Sequence, residues 1–173
     1  MELSRLDEAI VVLEGVVADA KTSAEDRVRA KTLKADALFV MGADNASRYK
    51  EALDDYRSML LGESLSTEAG LELSFKIART LEKLGRVDEA IDQYYGEVVC
   101  AYRDARADGR HLGDGARATF AKAAFRLADE FESRGAPDKA AKILSLVQNS
   151  DAGPAAKEAR RRLKRIKKKG GLE

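Results

Sequence analysis

Apolar side chains return along the chain mostly in steps of three and four, the spacing that places them on one face of an α-helix. Ile10, Leu13 and Val17 follow it near the start, and Ala156, Ala159, Leu163 and Ile166 near the end. The pattern predicts eight helices, at 2–21, 24–41, 48–61, 67–84, 87–107, 115–134, 137–148 and 153–169. Several ends carry chemical punctuation. Ser23 with Asp26 three positions later makes a capping-box-like start. Gly42, Gly85 and Gly135 are expected to close helices in the left-handed conformation, which glycine adopts without a Cβ clash. Pro137 and Pro154 suit first turns, where the missing N–H has no helical acceptor. Between the fifth and sixth helices the glycine-rich stretch 108–115 predicts an exposed, flexible connection.

The pattern also repeats. Phe75-Lys76-Ile77-Ala78 through Gly85 to Ala90 aligns without a gap on Phe125-Arg126-Leu127-Ala128 through Gly135 to Ala140, a shift of 50 residues. A shorter unit occurs four times, as Leu6–Ile10, Tyr49–Leu53, Val87–Ile91 and Pro137–Ala141. Each has an alanine (Ala9, Ala52, Ala90, Ala140) followed four later by Leu13, Tyr56, Tyr94 or Leu144, on the same helical face.

These residues resemble tetratricopeptide repeats. In that family a first helix carries a small residue between large ones, a glycine ends it, and a second helix carries a small residue and then an aromatic. The first-helix alanines are Ala35, Ala78 and Ala128, each with a large residue three later: Leu38, Leu81 and Phe131. The resemblance implies an all-α fold, an α-solenoid of about eight antiparallel helices in a right-handed superhelical stack. It implies a single array over 1–173: an orphan second-type helix at 1–22, repeats at 23–66, 67–113 and 114–151, a basic capping helix at 152–169 and a tail at 170–173. The four signatures start 43, 38 and 50 residues apart rather than about 34, and the family's Trp is absent, so the array is irregular. Residues 153–166 also resemble the closing helix of bacterial envelope tetratricopeptide proteins, those of Tol-Pal coordination and of outer-membrane assembly. That implies an extracytoplasmic scaffold. The unpaired first helix and the terminal Gly-Gly-Leu-Glu read as signs of a piece cut from a longer protein.

Composition agrees with helices. Ala and Leu supply 48 of the 173 residues, against 20 for Val, Ile and Thr, which lose more side-chain freedom in a helix. One cysteine excludes an intramolecular disulfide, and one histidine excludes a His–His metal motif. No apolar run reaches the length of a membrane span, so the expectation is a soluble piece. The net charge of +1 is unevenly spread: residues 157–173 carry +7 and the rest −6.

Candidate chemistry is sparse. No phosphate-binding loop, nucleotide fingerprint, nucleophile elbow or zinc-protease motif occurs, and neither a cofactor nor a metal site is expected. His111 reads as a surface histidine, Cys100 as a small hydrophobe, and Asp54-Asp55 and Asp88-Glu89 as solvated helix charges. The family's first helices line a concave groove, and the resemblance places a partner site at Thr32, Asp36, Phe39, Phe75, Arg79, Glu82, Phe125, Asp129 and Glu132, flanked by Lys76 and Arg126. An aromatic beside a cation and a carboxylate makes a recognition surface, although Phe75 and Phe125 also suit an inter-repeat core. The last helix offers Lys157, Arg160, Arg161, Arg162, Lys164 and Arg165, either as a solvated cap or as a patch for nucleic acid or an anionic membrane. The expected function is therefore a non-enzymatic scaffold for a protein or peptide partner. The alternative is an accessory binder of anionic surfaces, and the exposed first helix is a further place for self-association.

Overall fold

Every described element of this computed structural model, which describes residues 2–169, is helical. The helices are α1 (Glu2–Ala18), α2 (Ala24–Met41), α3 (Ser47–Leu60), α4 (Glu68–Lys83), α5 (87–107), α6 (Asp114–Ser133), α7 (Pro137–Gln148) and α8 (Pro154–Lys169). Each lies within three residues of its expected bounds. Helix α1 stops earliest because the Asp19 carboxylate takes the Lys21 N–H and turns the chain away from the helix. Ser23 caps α2 by accepting from Asp26 N–H at 3.0 Å.

The chain divides into two compact units. Unit 1 comprises Met1–Glu63 and Lys76–Ala90, and unit 2 comprises Ser64–Phe75 and Ile91–Glu173. In unit 1, α2 packs against both α1 and α3. Ala35 on α2 and Ala52 on α3 are fully buried, and the absence of bulk there lets the backbones approach. Leu38, Leu53, Tyr56, Ile77 and Leu81 fill the surrounding space.

In unit 2, α6 packs against α7 and α5, and α7 against α8. The same alanine arrangement recurs, with Ala128 on α6 and Ala140 on α7 both fully buried. Helix α5 departs from the expected regular helix. Its Val87–Asp92 and Ala101–Ala107 stretches are α-helical, but Gln93–Cys100 between them is π-helical. Across this widened stretch and the turn after it, Tyr94, Val98, Val99 and Tyr102 are all buried. The Tyr102 ring stacks on Phe120 at 4.4 Å.

The repeat is visible in the backbone at Gly85 and Gly135, with φ of 74° and 69°. In the first turn Arg86 N–H reaches back to the Leu81 carbonyl, and in the second Ala136 N–H reaches Phe131, the same closure one repeat of 50 residues later. Gly42 differs from its expectation. Its φ is −57°, and the chain runs on through right-handed turns to Asn45. Glycine is needed there for space, because a Cβ would strike the Tyr49 ring. The stretch 108–115 is tied down more than expected: Leu112 is buried and Arg110 donates to Ser66 at 2.6 Å.

Candidate functional site

In unit 1 the 3–4 spacing of α2 brings Asp36 and Phe39 to one face, beside Lys76 and Arg79 of α4. These four expected residues do meet, around a cavity of about 420 Å³ that Val40 and Tyr56 complete. Lys76 Nζ donates to both Asp36 carboxylate oxygens at 2.8 Å, and the Tyr56 hydroxyl donates to one of them at 2.6 Å. The Asp36 oxygens are therefore engaged and offer no free base to a substrate. The Arg79 guanidinium lies 5.1 Å from the Phe39 ring centroid, a cation–π arrangement, and makes no ion pair among the described residues. Phe39 also meets Tyr49 edge-on at 5.4 Å. Glu82 is half-buried further along α4. Thr32, one turn before Asp36, turns its hydroxyl back to the Val28 carbonyl.

The expected residues of unit 2 are used differently. Phe75 is half-buried and packs against Tyr94 at 5.6 Å. Phe125, Asp129 and Glu132 are met by the chain's own last helix. Arg162 of α8 lies over the Phe125 ring at 5.5 Å and pairs with both Asp129 and Glu132, while Arg165 pairs with Glu132 at 3.1 Å. The Arg162 side chain is only 11% exposed. Burial alone would depress its pKa, but the hydrogen bonds to Glu132 and Asp129, with their charges, outweigh burial and hold it above the ordinary arginine value. Arg126 is exposed and carries no ion pair among the described residues.

The basic set on α8 is accordingly split. Arg162 and Arg165 face Asp129 and Glu132, and Arg161 pairs with Glu158 at 3.0 Å. Lys157, Arg160 and Lys164 are exposed, on the helix face opposite Ala159, Leu163 and Ile166, which are buried.

Two features escaped the sequence reading. The Tyr56 hydroxyl belongs to the Asp36 cluster; the pattern located the ring, four residues after Ala52, but not the reach of its hydroxyl. In unit 2 Asp151 gathers Tyr102, Arg106 and Arg117, with the Tyr102 hydroxyl donating at 2.9 Å. Burial first, then that hydrogen bond, pushes the Tyr102 pKa up to about 12. Nothing local links positions 102 and 151.

Among the described residues no three His, Cys, Asp or Glu side chains gather as a metal site would require, and no helix is long and apolar enough to cross a membrane. His111 is exposed and Cys100 half-buried. No family model, no curated protein and no solved structure matches the chain.

Proposed function

We propose that the chain is an α-solenoid of tetratricopeptide-like helix pairs and serves as a non-catalytic scaffold, holding a partner segment on the first-helix face of unit 1. The repeat supports the solenoid reading through its fully buried alanine pairs and its two matching left-handed turns at Gly85 and Gly135. The observation that carries the binding reading is Arg79: a cation held over Phe39, without an ion pair among the described residues, at the wall of a 420 Å³ cavity. A carboxylate of a partner would complete that charge while an apolar neighbour filled the space against Phe39 and Val40. Selection of displayed random peptides on the folded protein tests this. Acidic–apolar sequences should be enriched, and their binding should be lost in Arg79→Glu. Failure to enrich any sequence, or binding indifferent to Arg79→Glu, rejects the groove.

A second reading rests on Lys157, Arg160 and Lys164, three exposed cations on one face of α8 without ion pairs among the described residues. They would attract a phosphate-rich surface, and the attraction would weaken steeply with salt. Salt-insensitive retention on anionic vesicles or duplex DNA, or no retention, removes that reading.

A further inference from the structure

Helix α1 carries apolar residues on two opposite sides. One side packs on α2, burying Ile10, with Leu13 and Val17 half-buried along the same stripe. The other carries Glu8, Val11, Val12 and Gly15 at helical spacing. Val11 and Val12 are 68% and 66% exposed, and a Cβ added at Gly15 would meet nothing within 4 Å. On the adjoining α2, Leu33 is 49% exposed. In unit 2 the α6–α7 pair takes a further helix, α8, which buries Ala159, Leu163 and Ile166. The outer side of α1 takes none among the described residues.

The charges at the ends of this stripe identify what covers it. Arg5 and Asp19 are both exposed, and each lies seven residues from Val12. Among the described residues Arg5 has no ion pair and the Asp19 carboxylate holds only the Lys21 N–H. Two copies of α1 laid antiparallel about a two-fold axis at Val12 would set each Arg5 opposite the other copy's Asp19. Such a stripe is complementary to itself, as a two-fold interface requires. Gly15, lacking a side chain, lets the two helices approach across Val11 and Val12.

We infer that the outer face of α1 is a self-association surface, pairing antiparallel with a second copy of this chain. It is independent of the partner groove at Arg79.

Sedimentation equilibrium of the intact chain, from micromolar to near-millimolar concentration, tests the inference. The mass should rise toward twice the 18.9 kDa of one chain. Val12→Glu, at a position already exposed in the single chain, should hold the mass at one chain with helical circular dichroism unchanged. Arg5→Asp or Asp19→Arg alone should raise the dissociation constant about tenfold, and the two together should restore it. The charge exchange keeps the test decisive should Val12→Glu disturb the fold. A single-chain mass at every concentration would overturn the inference. So would a dimer indifferent to all three substitutions, which would place the contact on another face.

Discussion

Two aromatic–carboxylate sets, one on α2 of unit 1 and one on α6 of unit 2, are treated oppositely by the molecule. In unit 2, Phe125, Asp129 and Glu132 are met by Arg162 and Arg165 of α8, whose Ala159, Leu163 and Ile166 are buried as it docks. In unit 1, Asp36 is satisfied by Lys76 and Tyr56, but Arg79 over Phe39 keeps an unpaired charge beside an open cavity, with Val40 exposed at its wall. Similar residue types thus have their charges paired where α8 docks on them, and leave one cation unpaired beside a cavity where α4 meets them. Recognition chemistry is decided by coverage as well as by residue identity. The α8 contact also illustrates a mode of engagement: a cation on the ring, its charge on the carboxylates, an apolar row behind.

Equivalent substitutions in the two units should therefore separate widely. Leu163→Ala opens the α8 interface and should lower the denaturant-unfolding free energy by about 2–5 kcal/mol, whereas Val40→Ala should change it by under about 0.5 kcal/mol. Comparable losses would mean that the Val40 face is already covered. Arg162→Ala leaves Glu132 half-buried with one partner fewer and should cost about 1–3 kcal/mol, with exposed Asp129 contributing less. Arg79→Ala, losing a ring contact and no ion pair, should cost less than about 1 kcal/mol in the same titration. Unit 2 should also be alkali-sensitive. The Tyr102 proton is held more tightly in the fold than in the unfolded chain, so its stabilisation is complete below the ordinary 10.0 and fades as pH rises toward about 12. Thermal midpoints should fall across that window, and Tyr102→Phe should flatten the fall. An effect of the opposite sign is expected at Ser74, whose fully buried hydroxyl has no hydrogen-bond partner among the described residues. Ser74→Ala should raise stability by about 0.5–1 kcal/mol, and a loss of stability would show that the hydroxyl is satisfied.

The eight helices were legible because three- and four-residue spacing, Ser23 and the two prolines all act over a few neighbouring positions. The turns at Gly85 and Gly135 were legible for the same reason. Gly42 was misread because its requirement comes from the Tyr49 ring, a contact the glycine pattern does not encode. The π-helical stretch of α5 was hidden because a widened turn serves the burial of Tyr94 and Val99 together and leaves the apolar composition unchanged. At the candidate site the sequence supplied Asp36, Phe39, Lys76 and Arg79 through the repeat. It did not distinguish them from Phe125, Asp129 and Glu132, because the difference lies in where α8 docks, and a helix's own residues only partly state its target. The Tyr102–Asp151 link spans 49 residues and was outside any local pattern.

The most direct measurement is calorimetric titration of one library-selected acidic–apolar peptide into three proteins: the unaltered chain, Arg79→Glu in unit 1 and Arg126→Glu in unit 2. Both arginines are surface-accessible and unpaired among the described residues, so both variants should fold. The account predicts binding abolished by Arg79→Glu and unchanged by Arg126→Glu. Loss in both, or in Arg126→Glu alone, would contradict a site built on Phe39 and Arg79.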